Sequence, residues 1–202
     1  MIIIDDIEQG SPEWFALKAG VPGASSFNKI VTTKGEPSKQ STDYAYQLAG
    51  ERLIGKQEES YSSFAMTQGL EREAEARQLY ELMTGETVKQ VGFVFKSERK
   101  DVGCSPDGLM EKKGCEIKCP MLKTQVKYLL DGTLPTDYFT QVQGSMWVCG
   151  FNEWEFFTYY PGMPPLLITV KRDEQFIAKL EKAMIDFIHE LNRIYTELLR
   201  RT

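Results

Sequence analysis

A chain of 202 residues, 42% hydrophobic and 26% charged, has the length of one domain and the composition of a soluble globular protein. Its net charge of −5, from 29 acidic against 24 basic side chains, provides no general attraction to polyanions, so any contact with nucleic acid must come from a local concentration of basic groups. No stretch approaches the roughly 18 apolar residues of a membrane span, and Met1–Ile4 followed by Asp5-Asp6 lacks both the basic flank and the apolar length of a secretion signal. A cytoplasmic protein is expected.

From Glu8 to Lys29 the chain reads as a turn, a short helix and the start of a second. Ser11-Pro12-Glu13 opens the first helix, with serine as N-cap and proline at the first helical position. Trp14, Phe15 and Leu17 give it an apolar side, and Lys18 closes it ahead of Gly20. Ala24-Ser25-Ser26 places small hydroxylated residues at another helix start, where free amides suit an anion or the serines simply cap. Thr32–Ser41, with Gly35 and Pro37, is a loop. A helix is expected over about Thr42–Leu53 and a polar connection over Gly55–Tyr61.

Ser63–Met83, rich in Glu, Ala, Leu and Arg, is the strongest helical segment of the first half. Its Glu71, Glu73 and Glu75 belong mostly to a solvated face, from which Glu73 can turn inward. Val88–Phe95 and Asp101–Cys104 read as strands, Met121–Leu130 and Thr136–Val148 as helices, and Glu153–Tyr160 and Leu166–Val170 as strands about a proline-rich turn. Asp173 caps a long amphipathic helix that carries Phe176, Leu180, Met184, Phe187 and Leu191 at helical spacing.

The chemistry concentrates in Gly103-Cys104-Ser105-Pro106-Asp107-Gly108-Leu109 and, after the charged turn Glu111–Gly114, in Cys115-Glu116-Ile117-Lys118-Cys119. The second run alternates, so it predicts a strand returning beside Asp107 in a tight hairpin. Successive side chains on a strand face opposite ways, so Glu116 and Lys118 share one face while Cys115, Ile117 and Cys119 share the other. Two carboxylates and a lysine then converge on one polar edge. Carboxylate oxygens are what Mg²⁺ and Mn²⁺ prefer, and one or two such ions could generate a hydroxide and relieve the leaving 3′ oxygen in phosphodiester hydrolysis. Lys118 could orient a water, deprotonate it if its own pKa were depressed, or offset charge on a phosphate. Glu-x-Lys alone fits a plain surface pair; the Pro-Asp-Gly upstream turns the balance towards a metal-dependent nuclease.

The one histidine, His189, lies in the C-terminal helix away from every motif, so histidine general-base catalysis is not expected. Cys104, Cys115, Cys119 and Cys149 suffice in number for a zinc or iron–sulfur site. Their apolar settings favour buried free thiols.

Beyond the hairpin, Glu8-Gln9-Gly10 with Trp14, Gly20-Val21 with Ala24-Ser25, Gly69 with Glu73, Gln141-Val142-Gln143 with Ser145–Val148, and Arg172-Asp173-Glu174 complete a pattern that resembles the lambda-exonuclease-type viral recombination (alkaline) exonucleases. These belong to the restriction-endonuclease-like, PD-(D/E)xK superfamily. The resemblance implies an α/β fold with a mixed central β-sheet flanked by helices, in a single domain over 1–202. Its catalytic core would span about 63–170, with an N-terminal helical DNA-end-binding region and a C-terminal helix.

It also implies a processive 5′-to-3′ exonuclease on double-stranded DNA that uses Mg²⁺, with Mn²⁺ as a substitute, at one or two ions per site. Asp107, Glu116, the main-chain carbonyl of Ile117 and Glu73 would serve the metal. Lys118 would handle the attacking water, Tyr138 and Gln141 would line the site, and Lys18, Ser25, Ser105 and Trp14 would receive the 5′-terminal phosphate. One departure is Lys18, where the family pattern has arginine: a point charge replaces a bidentate fork.

Net acidity makes enclosure, not attraction, the way to stay on DNA, and the resemblance implies a homotrimeric ring in a phage-infected or prophage-carrying bacterial cell. Its 3′-strand product would pass to a phage single-strand annealing protein, with no membrane partner. Alternatives are a Cas4-like or endonucleolytic relative holding an iron–sulfur cluster, and a non-catalytic DNA-end-binding module.

Overall fold

The hairpin forms where the alternation places it: β4 (Gly108–Leu109) pairs antiparallel with β5 (Lys113–Lys118), Gly108 opposite Cys115. The computed structural model describes residues 1–57 and 64–201, and over 64–71 the backbone alone. The polar connection expected over Gly55–Tyr61 therefore falls, from residue 58 on, outside the described residues. A β-carbon at Gly108 would collide with Val88 Cγ1 and press on Cys115 Sγ, so only glycine lets β4 lie this close to the segment before it.

Beyond β5 the sheet continues with β6 (Glu153–Thr158), parallel to it, and β7 (Leu166–Lys171), antiparallel to β6, in the order β4-β5-β6-β7. The parallel pair needs a crossover, and helices α4 (Leu122–Asp131) and α5 (Thr136–Cys149) supply it. A second, antiparallel sheet holds β1 (Ile2–Ile4), β2 (Phe93–Phe95) and β3 (Gly103–Cys104). Residues 105–107 join the two sheets.

Helices cover both faces of the four-stranded sheet. On one side α5 packs with the 3-10 helix Ala24–Lys29, α2 (Ser41–Ile54) and α6 (Glu174–Leu199), around Val142, Met146, Trp154, Phe156, Leu48 and Leu180. On the other, α3 (Phe64–Thr84) lays Ala76 and Tyr80 against Cys115, Ile117, Phe157 and Tyr159. The fold is thus the expected mixed α/β architecture. Among the described residues no helix is long and apolar enough to cross a membrane.

Two expectations change. The strand read over Val88–Phe95 is confined to Phe93–Phe95, because Gly92 is pressed against the Ile7 carbonyl and Lys89 pairs separately with Leu109. Helix α1 (Pro12–Lys18) is capped by the Ser11 hydroxyl as predicted, yet it buries no residue and leaves Phe15 44% exposed. Trp14 instead anchors the helix by donating its indole N–H to the Gly92 carbonyl at 2.8 Å.

Candidate active site

The alternation of β5 sorts its side chains as predicted. Cys115 and Ile117 enter the core under α3 with Cys119 packed at its edge, while Glu116, 1% exposed, turns towards α5. There its Oε1 accepts from Gln141 Nε2 at 2.6 Å and forms an ion pair with Lys118 Nζ. Its Oε2 is buried with no hydrogen-bond partner. Asp107 Oδ2 accepts the Ile117 N–H at 2.6 Å, which locks the carboxylate loop onto the strand and brings Asp107, Glu116 and the Ile117 main chain together.

Electrostatics show what this arrangement lacks. Burial, followed by the neighbouring Glu116, pushes the Asp107 carboxyl well above the usual carboxylate range, and Lys118 only partly restores it. Burial works against the Lys118 ammonium, but Glu116 and Asp107 outweigh it, so its pKa is raised. The depressed lysine that proton abstraction requires is not what the structure contains; Lys118 is a held cation. Tyr138 packs at a tilt of 40° against Phe156, with its ring centre 5.4 Å from Lys118 Nζ, which puts it at the edge of the carboxylate corner. Glu73 stands further out on α3: its Oε1 pairs with Arg77 at 2.6 Å, and it acts on Asp107 through charge.

Among the described residues no three acidic, histidine or cysteine side chains form a ready metal cage. Two carboxylates and a carbonyl nevertheless suit Mg²⁺, which keeps several waters and binds proteins through one or two carboxylates. An orphaned Glu116 oxygen beside a carboxyl that burial keeps from ionising is a donor pair short of a cation. The residues fit the ion.

Lys18, Ser25, Ser105, Gln141 and Ser145 line one small pocket with Gly23 and Cys104. Lys18 Nζ lies 3.3 Å from the Trp14 ring centre. Burial lowers its pKa to about 8, against the pull of Glu51. Ser105 Oγ is buried without a partner, whereas Ser25 is exposed. All four residues expected at a terminal phosphate thus belong to one corner, which Gln141 joins directly to Glu116.

The sequence reading gave no role to Gln9, whose Nε2 donates to both the Val91 and Pro106 carbonyls at 2.8 Å. It pins the chain one residue before Asp107; the motif Glu8-Gln9-Gly10 marks the position, but nothing local in it announces contacts so far along the chain. The cysteines divide: Cys104 and Cys149 lie 3.6 Å apart, sulfur to sulfur, in the core beneath α5, while Cys115 and Cys119 belong to the core under α3. All four are free thiols.

The chain is similar to known proteins in sequence and in fold. A family model described as a YqaJ-like viral recombinase domain matches residues 13–152. The alkaline exonuclease LHK-Exo from Laribacter hongkongensis is 31% identical, with a TM-score of 0.85 over 95% of this chain and 97% of that one. The same enzyme in complex with dAMP superposes with a TM-score of 0.84 at the same identity and coverage. A phage-related exonuclease from Haemophilus somnus 129PT, 16% identical, shares the fold at a TM-score of 0.64 over 88% of this chain and 96% of its own. No curated protein matches the sequence.

Proposed function

The chain belongs to the YqaJ-like viral recombinase family and is a nuclease of recombination, and from that premise we propose that it is a magnesium-dependent exonuclease. It would enter linear double-stranded DNA at an end, shorten the 5′-ended strand and leave a 3′ single strand for annealing. The observation that carries the reading is the junction of two sites at Gln141. Its side chain lines the corner of Lys18, Ser25 and Ser105 and donates to Glu116. A receptor for a terminal phosphate one side chain from the carboxylate pair sets cleavage at a fixed distance from a 5′ end. This arrangement favours an exonuclease over an enzyme cutting within a strand. LHK-Exo has been crystallised with dAMP, a mononucleotide of the kind such cleavage releases.

Asp107, Glu116 and the Ile117 carbonyl would hold Mg²⁺, or Mn²⁺ in its place, with Glu73 as an outer acid. When bound, the ion supplies a hydroxide at neutral pH and relief of charge on the leaving 3′ oxygen. Gln141 fixes one Glu116 oxygen so that the other stays available, and the Ile117 N–H does the same for Asp107. Lys118 acts protonated, donating to the attacking water or to a non-bridging phosphate oxygen, with the Tyr138 ring beside it. Lys18, supported on the face of Trp14, supplies charge to the terminal phosphate, and the Ser25 and Ser105 hydroxyls supply donors.

A net charge of −5 does not hold a processive enzyme on DNA. Three copies closed into a ring would retain the duplex by enclosure and present the 3′ strand to a phage single-strand annealing protein. The test is cleavage of a linear duplex carrying 5′-phosphate or 5′-hydroxyl ends, with Mg²⁺ or chelator. Mononucleotides released from the 5′ end only with metal, and faster from phosphorylated ends, are expected. Release from 3′ ends, or from circular duplex at the same rate, would overturn the reading.

A further inference from the structure

Arg72 stands on α3, which covers the face of the sheet opposite to α5 and the Lys18 corner. Its guanidinium carbon lies 4.9 Å from the centre of the Tyr160 ring, just past the end of β6. Its charge reaches the Cys119 thiol, which also feels Glu73, Asp107 and Lys118. Arg72 therefore borders the carboxylate pair on the side away from the terminal-phosphate pocket.

The neighbouring cations on this side are neutralised. Arg77 pairs with Glu73, and Lys118 with Glu116. Among the described residues Arg72 has no carboxylate within 4 Å, and its Nη1 is buried with no acceptor. A buried donor without a partner is costly to keep unless a ligand satisfies it. A guanidinium held over a tyrosine ring keeps N–H groups for other partners, and arginine is suited to fork two phosphate oxygens with them. An acceptor that the described residues do not supply, with the geometry of a phosphate diester, suits that edge.

We infer that Arg72, supported on Tyr160, binds a backbone phosphate of the DNA on the far side of the scissile bond from the 5′-terminal phosphate. The strand then runs from Lys18 and Ser25, past Gln141 and Glu116, over Lys118 and Cys119, to Arg72. The inference rests on the exonuclease reading, and it gives the site a second phosphate contact that holds the retained duplex.

Two measurements on the full chain test it: mononucleotide release from a 5′-phosphorylated duplex with Mg²⁺, and fluorescence anisotropy of the same labelled duplex with chelator, both over a salt series. Arg72→Ala is expected to raise KM and Kd about tenfold or more with kcat within about twofold. It should flatten the slope of log Kd against log salt by about 0.9, one phosphate contact. Arg72→Lys should restore the slope but not the affinity, and Tyr160→Leu should weaken binding with the slope kept. If Arg72→Ala loses its melting transition, the other two variants decide. A wild-type slope and Kd in Arg72→Lys together with Tyr160→Leu, or a loss confined to kcat in any of the three, would overturn the contact. Wild-type protein that binds duplex but releases no nucleotide would instead sink the exonuclease reading, and the anisotropy arm would still judge Arg72.

Discussion

At Asp107 and Glu116 two acids share one enclosed corner, and the first of them is kept from ionising easily by burial and by its neighbour. A ligand that binds only the folded state stabilises it, by about 2.7 kcal/mol at roughly a hundred times its Kd. Mg²⁺ is therefore expected to raise the melting temperature of the wild type by several degrees and to leave Asp107→Asn and Glu116→Gln unmoved. Both variants should be folded and cleave at background; either one cleaving near the wild-type rate would remove it from the metal. Lys18 yields a prediction of different kind. Burial brings its pKa down to about 8, so it is charged below that pH and loses its proton above. The rate advantage of 5′-phosphorylated over 5′-hydroxyl ends should shrink as pH rises past about 8. Lys18→Arg, which stays charged, should hold the ratio level to higher pH. Equal ratios at every pH in the wild type would show that Lys18 does not meet the phosphate.

Among the elements, α5 does most to assemble the site, because it carries Tyr138 and Gln141 and leans on the 3-10 helix that carries Ser25. That approach depends on Gly144: a β-carbon there would stand 2.5 Å from Phe27 Cδ2. Gly144→Ala is expected to cost about 1–3 kcal/mol as overpacking and to lower cleavage of 5′-phosphorylated ends more than of 5′-hydroxyl ends, since it parts Gln141 from the phosphate corner. Matched losses on the two substrates would show a merely structural role. The hairpin, the α5 helix and the Asp173-capped α6 were legible in the sequence because a short-range period or a cap residue determines each. The placing of Glu116 and Lys118 on one face needed only the strand alternation. What escaped was non-local. Strand β1 exists because Ile2–Ile4 finds Phe93–Phe95 across the chain. Helix α1 buries nothing of its own, since Trp14 is spent on Gly92 and Lys18. Gln9 matters only through two carbonyls more than eighty residues away.

At the scale of the whole molecule, the charge and the mechanism pull apart. Twenty-nine acidic side chains against 24 basic repel DNA on average, so contact with it has to come from local cations such as Lys18 and Arg72. The proposed ring of three predicts sedimentation equilibrium at three times the 23.1 kDa chain mass. It also predicts long tracts degraded per encounter even at salt that abolishes simple binding. One subunit per particle under fully active conditions would refute it.

Chain order adds a consequence for how the enzyme comes into being. Ile2 pairs with Phe95, and Gln9 closes on Pro106, so these early segments wait for partners that are made some ninety residues later. Glu116 lies on a strand whose parallel neighbour, Phe156, is forty residues later. Contacts so distant close slowly because loop entropy opposes them before any pairing is gained. Helices α2 and α6 are each continuous runs that can form early, but the carboxylate corner is among the last parts to be set. After dilution from denaturant, helical circular dichroism should therefore return before nuclease activity does. A Gln9→Met variant should widen that delay while leaving the early helical phase untouched, and coincident recovery of both signals would show that the corner forms together with the helices. A half-made nuclease, on this timing, is a harmless one.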